Sequence, residues 1–385
     1  MHIQKIQLTN FRNFADADVE FAENRNLILG ANAQGKTNLL EAIHVLGFGR
    51  SHRDRKDQNL VKFGEAFYRV EGIFQHIGVR TTIEVAYAED RKRMKVNSKE
   101  AKPTSLIGLA PVVVSSPDDI DLIKRSPGYR RAFLDMALSQ VSREYLTTLQ
   151  RYARALAQRN VLLKRAQGGR AGWGETDVWD EAIVDLGERI VTARVAFLAE
   201  IRPRVEENSG LISGVASKIE LIYEPRGYRL GIGERTGGED SDTEGKGGHG
   251  GNGGGVREGL REALRNNRHL ELVRGFTLFG PHVDDFKFIC DGKDMRLFGS
   301  EGEQRTSVLA LRCAEVTIIL AKVDYYPIVL LDDVFAELDE DRSRALTSLI
   351  SEFDQIVLTS SRPGALGDDG MRKIVVADGR ITYSG

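Results

Sequence analysis

The chain has 385 residues, 41% of them hydrophobic and 29% charged, with a formal net charge of −2. That balance suits roughly two to three soluble globular domains with a sizeable core. It excludes a uniformly basic protein, and no run of about 18 apolar residues offers a membrane span. The two cysteines, Cys290 and Cys313, exclude a disulfide framework or a zinc site built of thiolates. With a start, MHIQKIQLTNFRN, that lacks an apolar signal core, they lead us to expect a cytoplasmic protein.

Taken in chain order, Ala17, Val19 and Phe21 alternate as in a strand, and Leu27-Ile28-Leu29 reads as a short buried strand. A helix is predicted from Lys36, with Leu39, Leu40, Ile43 and Leu46 on one side and Gly47 as its stop. Residues 65–97 read as strands. After Pro117 the texture turns helical: residues 130–207 hold one proline, Pro203, and Tyr145, Leu149, Tyr152 and Leu156 fall on one helix face. The stretch 168–177 breaks this region into two limbs of an antiparallel arm, each about 30 residues long. Between Leu122 and Arg170 stand eleven Lys/Arg against Asp135 and Glu144 only, which is either a solvated helix face or a surface for a polyanion. Residues 231–255 hold twelve glycines, cannot bury apolar surface and are expected to be a disordered loop. From Phe276 strands and helices alternate again, and Ile328–Leu331 is an apolar run of the kind found in a parallel sheet buried on both faces. The expected architecture is one α/β head at 1–116 and 272–385, built from both termini, with a mainly helical arm inserted at 117–271.

Three motifs carry chemistry. Gly30-Ala31-Asn32-Ala33-Gln34-Gly35-Lys36-Thr37 follows a strand and opens a helix, the context a phosphate loop needs. Its glycines let backbone N–H groups turn toward phosphate oxygens, and the helix presents its positive end to the same anion. Lys36 would meet the β- and γ-phosphates of ATP, and Thr37 would offer a hydroxyl to Mg²⁺. The second motif is an apolar strand ending in Asp332-Asp333, where Asp332 would hold the metal and Asp333 would orient the attacking water. The third is Ser300-Glu301-Gly302-Glu303 at the start of a helical run about 30 residues before Asp332. A second binder of the γ-phosphate in a chain that already has a phosphate loop suggests two copies sharing ATP. Ala336-Glu337-Leu338-Asp339 then forms a turn beyond the acidic pair.

In that order these motifs resemble an ABC-type ATPase head of the SMC and Rad50 kind. The segments LTNFRN (8–13), GRSHR (49–53), SPDDIDLIKRSPGYRRAFLD (116–135), QRNVLLK (158–164), Val178-Trp179-Asp180 with GERI (187–190), TLFGPH (277–282), ALRCAE (310–315) and DDVFAELD (332–339) resemble the RecF family of bacterial DNA replication and repair proteins across nearly the whole chain. The resemblance implies an ATP-dependent homodimer that binds DNA at single-strand gaps and at junctions of single- and double-stranded DNA. It implies slow, DNA-stimulated ATP hydrolysis that resets the clamp, and RecO- and RecR-like partners in loading a recombinase. Carried over by position, Lys36, Thr37 and Asp332 hold phosphates and Mg²⁺. Asp333 is the catalytic carboxylate, where most ABC proteins have Glu. Ser300, Gly302 and Glu303 meet the γ-phosphate held by the other subunit, Asp339 touches the dimer interface, and Arg12 reaches the nucleotide. The chain departs from the family at Val283, where Arg usually follows Gly-Pro-His, and at Thr359-Ser360-Ser361, where ABC transporters carry a switch His. The remaining alternative is another ABC-type head, from a transporter or an SMC-like subunit.

Three basic clusters are candidate DNA contacts: Arg53, Arg55 and Lys56 with Arg50 and His52; Arg91, Lys92, Arg93 and Lys95; and Arg130, Arg131, Arg151 and Arg154 with Lys164 on the arm. Contacts of this type are electrostatic and blind to base sequence. Each cluster alone is equally consistent with a solvated face.

Overall fold

The computed structural model describes residues 1–167, 173–230, 255–361 and 370–384. Its centre is a six-stranded sheet in the spatial order Arg380–Ser384, Arg372–Ala377, Arg25–Leu29, Ile356–Ser360, Ile328–Leu331, Val112–Ser115. All neighbours run parallel except the first pair. Parallel strands covered on both faces need side chains that are apolar throughout. The runs Ile328–Leu331 and Ile356–Ser360 are accordingly buried at every position. Both chain ends contribute strands, as the alternation at the two termini implies.

A second, antiparallel sheet runs Phe14–Glu20, His2–Phe11, Phe67–His76, Val79–Ala88, Arg91–Val96, Lys99–Glu100. The helix Lys36–Phe48 lies between the two sheets, and one apolar cluster joins Leu39, Ile43 and Leu46 to Ile6, Val70, Ile328 and Leu330. Because it is covered from two sides, this helix is buried almost all round, beyond the single stripe expected for it. Its end also differs from expectation. Gly47 lies inside the helix, where a Cβ would come within 2.9 Å of Val112 Cγ2, and Gly49 at φ 69° is the residue that caps it.

The insertion consists of the helices Pro127–Val141, Arg143–Gln167 and Asp177–Ser213, two shorter helices at Val256–Asn266 and Arg268–Arg274, and the strand Ile219–Glu224, which pairs with Asp285–Cys290. It is not an arm standing away from the head. The 37-residue helix Asp177–Ser213 packs along Glu301–Val323, and a single apolar cluster runs from Leu29, Val329 and Leu358 of the parallel sheet to Tyr152, Ile190 and Phe197 of the insertion. Pro203 sits within that helix without ending it. The first half of the break expected at 168–177 falls on undescribed residues, and a short 3₁₀ turn at Trp173–Thr176 occupies most of the rest. Apart from Gly255, which precedes the helix Val256–Asn266, the glycine-rich stretch lies outside the described residues.

Candidate functional site

The carboxyl ends of the parallel strands converge on one edge, the position at which open α/β sheets bind ligands. Arg25–Leu29 leads into the phosphate loop, and the loop leads into Lys36–Phe48. Gly35 has φ 118°, and a Cβ there would fall 2.6 Å from the Asn13 amide, so the loop needs glycine for shape and for space. At Gly30 a Cβ would lie 2.4 Å from the Val376 carbonyl oxygen. The loop is braced from outside: Asn13 Nδ2 donates to the Gln34 carbonyl at 2.6 Å, and the Asp378 amide donates to Gln34 Oε1 at 2.6 Å. Lys36 is buried, and its ammonium donates to the carbonyls of Gly30 at 2.8 Å and Ala31 at 3.0 Å, which folds the charge into the mouth of the loop.

Strand register brings the acidic pair to the same place. Leu331 pairs with Leu358, so the next residue, Asp332, emerges beside Thr359. Asp332 Oδ1 accepts from Thr37 Oγ1 at 3.0 Å and from Thr359 Oγ1 at 2.7 Å. The Asp333 amide donates to Thr359 Oγ1 at 2.8 Å, and Asp333 itself is left-handed at φ 50°. Thr37 gives its proton to Asp332 and so keeps its lone pairs. A hydroxyl and a carboxylate meeting at the end of a phosphate loop are hard oxygen donors of the kind Mg²⁺ takes. Among the described residues no group of three or more His, Cys, Asp or Glu could hold a metal. A cation here therefore depends on phosphate and water oxygens beyond Thr37 and Asp332, which is the way Mg²⁺ is ordinarily held.

The signature residues form a different surface. Ser300 caps the helix Glu301–Val323 in a reciprocal box: Glu303 N donates to Ser300 Oγ at 3.3 Å, while Ser300 N and Oγ donate to Glu303 Oε2 at 2.8 and 2.7 Å. Ser300 and Glu303 are exposed, as are Leu297 and Phe298 just before them. Asp339 caps Glu340–Ile350 by accepting from the Arg342 amide at 2.8 Å, and the Arg342 guanidinium reaches back to where a Cβ on Gly302 would stand, 3.1 Å away. Signature and Asp339 turn thus share one face. Among the described residues, neither Ser300 nor Glu303 hydrogen-bonds to the phosphate loop of its own chain. The helix is anchored inward by Arg312, which is bidentate on Asp119 at 2.7 and 3.1 Å and also meets Glu315 at 2.9 Å.

Comparison with known proteins gives this arrangement its family. The model of the RecF/RecN/SMC N-terminal domain matches residues 2–377. The chain is 38% identical to the DNA replication and repair protein RecF of Heliobacterium modesticaldum, covering 97% of each chain. It is 36% identical to that of Moorella thermoacetica, covering 95% of this chain and 91% of the relative. The chain belongs to the RecF family. A solved structure of the recombination mediator protein RecF–ATP of the RecFOR pathway superposes with a TM-score of 0.87 at 32% identity, over 100% of this chain and 98% of the other. An SMC head bound to the C-terminal winged-helix domain of ScpA shares the fold at a TM-score of 0.56 and 15% identity. The fold is therefore the ABC/SMC-type ATPase head expected from the order of the motifs.

The remaining expected residues divide. Arg12 Nε and Nη2 pair with Glu41 at 2.8 and 2.7 Å, and Nη1 donates to the Asn59 carbonyl at 2.9 Å. Burial works against its charge, but the fully buried Glu41 carboxylate outweighs this and holds the Arg12 pKa above its ordinary value. Arg12 thus sits on the phosphate-loop helix, beside a cleft of about 990 Å³ lined by Asn13, Asn38, Arg53, Lys62 and Phe63. Arg53, Arg55 and Lys56 are exposed; Arg53 donates to Asn38 Oδ1 at 3.3 Å. Arg151 and Arg154 are exposed on the helix Arg143–Gln167.

Arg130 corrects the expectation. It is 4% exposed, bidentate on Asp285 at 2.6 and 2.8 Å, and caps the carbonyls of Leu122 and Arg125, so no part of it is left for DNA. Arg131 is half-buried and donates to the Asp284 carbonyl at 2.8 Å. Asn13, Glu41 and the Asp378 amide were not among the residues expected at the site. Asn13 and Glu41 had a sequence signal, since the first ends LTNFRN and the second lies one turn after Thr37. The Asp378 contact spans 344 residues and had none.

Proposed function

We propose that this protein is an ATP-dependent DNA-binding clamp of recombinational repair and replication restart, acting in the cytoplasm with RecO- and RecR-like partners. The observation that carries this reading is a division within one chain. Lys36, Thr37 and the acidic pair form one half of a nucleotide site, and Ser300, Gly302, Glu303 and Asp339 form a complementary half in which, among the described residues, Ser300 and Glu303 make no hydrogen bond to the phosphate loop. Two chains facing each other would complete both sites, each closing over the nucleotide of its partner. The phosphate loop would bind the triphosphate, the adjoining cleft the nucleoside, and Asp333 would take the proton of the attacking water. Mg²⁺, held by Thr37 and Asp332, would neutralise phosphate charge. The signature's contacts to the γ-phosphate would exist only in the closed dimer, so slow, DNA-stimulated hydrolysis would release it.

Arg53, Arg55, Lys56, Arg151 and Arg154 remain as candidate phosphate contacts for DNA at single-strand gaps and at junctions of single- and double-stranded DNA. Fluorescence anisotropy with a gapped duplex tests the reading. Mg·ATP raises affinity, and affinity falls by about 10-fold or more between roughly 50 and 200 mM salt if several phosphates are contacted. Binding indifferent to both ATP and salt would refute it.

A further inference from the structure

We infer that Thr359 is the positioning residue that sets both carboxylates of the acidic pair; the inference rests on the nucleotide-site reading above and adds a residue to it. Thr359 lies on the strand Ile356–Ser360, is 2% exposed, and touches each member of the pair with one hydroxyl. Its proton goes to Asp332 Oδ1 at 2.7 Å, and its lone pair receives the Asp333 amide at 2.8 Å. Thr37 donates to that same Oδ1 at 3.0 Å. Two hydroxyls on one oxygen pin the carboxylate through Oδ1 and leave Oδ2 as the oxygen through which Asp332 would meet Mg²⁺ or its water. The second bond acts on Asp333. That residue is left-handed, at φ 50° and ψ 26°, a conformation uncommon for residues with a Cβ, though Asp takes it more readily than most. The hydrogen bond from its amide to Thr359 helps to hold it there, so the same hydroxyl that orients the metal carboxylate fixes the turn from which the catalytic carboxylate projects. Parallel register puts the residue there: Leu331 lies opposite Leu358, and the chain positions that follow, 332 and 359, meet at the sheet edge.

The test compares Thr359→Val, Thr359→Ala and Thr359→Ser in the full chain by Mg²⁺ titration of the binding of a fluorescent non-hydrolysable ATP analogue, with steady-state ATPase alongside. In Val and Ala the Mg²⁺ needed for half-maximal binding rises about 10-fold, as it does when a partner of a metal ligand is removed. Binding without Mg²⁺ is unchanged, and kcat falls more than KM changes. Ser, which keeps the hydroxyl, stays near the wild type. Val or Ala with wild-type Mg²⁺ dependence overturns the inference, and so does Ser as impaired as Ala. If Val fails to fold, the Ala and Ser pair decides the question in the same way. A wild-type protein that binds no nucleotide with Mg²⁺ sinks the nucleotide-site reading instead, an outcome the titration keeps separate.

Discussion

Single residues at and around the site have distinct jobs, and their substitutions should separate accordingly. Asp333→Asn keeps the shape of the turn and removes the carboxylate proposed as the base, so on that reading it should retain nucleotide binding and lose about 100-fold or more in turnover. Single-turnover ATPase with parallel binding measurements checks this; undiminished hydrolysis would take Asp333 out of the chemistry. Arg130 belongs to the opposite class. Removing its guanidinium leaves Asp285 and two helix-end carbonyls without their partner, a loss of about 3 kcal/mol. Arg130→Ala should therefore lower the urea midpoint clearly, and any folded fraction should bind DNA as the wild type does. Stability preserved with DNA affinity lost would reverse that assignment. In sequence the basic neighbours of this arginine are equally consistent with a DNA contact and with a solvated face. Its partner, Asp285, lies 155 residues away and leaves no mark on the local pattern.

Elements show which features a sequence records locally. The phosphate loop was legible because its glycines, lysine and threonine are contiguous and each is required by local geometry. The acidic pair was legible because an apolar strand must stop somewhere. The true end of the loop's helix was not, since Gly47 is demanded by the approach of Val112 from another strand and Gly49 by the cap. The insertion is legible as helical, and the stripe with Tyr145 and Tyr152 as core; the partner that Asp177–Ser213 packs against, Glu301–Val323, is not legible, because nothing local in the sequence names it. Where the insertion helices meet residues 277–282 a polar seam is buried. His282 Nδ1 accepts from Tyr152 at 2.7 Å while Nε2 faces the Thr277 carbonyl at 3.1 Å, so the neutral ring protonated at Nε2 satisfies both. Burial, the largest cause, with Arg131, Arg159 and Arg194 nearby, lowers the His282 pKa to about 4. The unfolded chain takes up this proton near 6.5 and the folded chain only near 4. The stability held above pH 6.5 is therefore lost as pH falls through that window. His44 and His52 are lowered in the same sense, so the difference between wild type and His282→Gln isolates one ring. Urea melts at about pH 7.5 and about pH 5 should show a smaller loss in the variant; equal losses would contradict the assignment.

At the scale of the whole molecule, strands from both termini make one sheet, and a helical insertion packs along the signature helix that lies against it. On the proposed reading the phosphate loop and the signature are separate half-sites, and a working nucleotide site would need a second copy to join them. The most direct measurement is molar mass by light scattering, without nucleotide, with saturating Mg·ATP, and with Mg·ATP plus gapped DNA, for the wild type and for Ser300→Arg. The expected result is a monomer that becomes a dimer with Mg·ATP in the wild type, and a variant that still binds nucleotide but stays monomeric. A wild type that remains a monomer under every condition would contradict the shared-site arrangement.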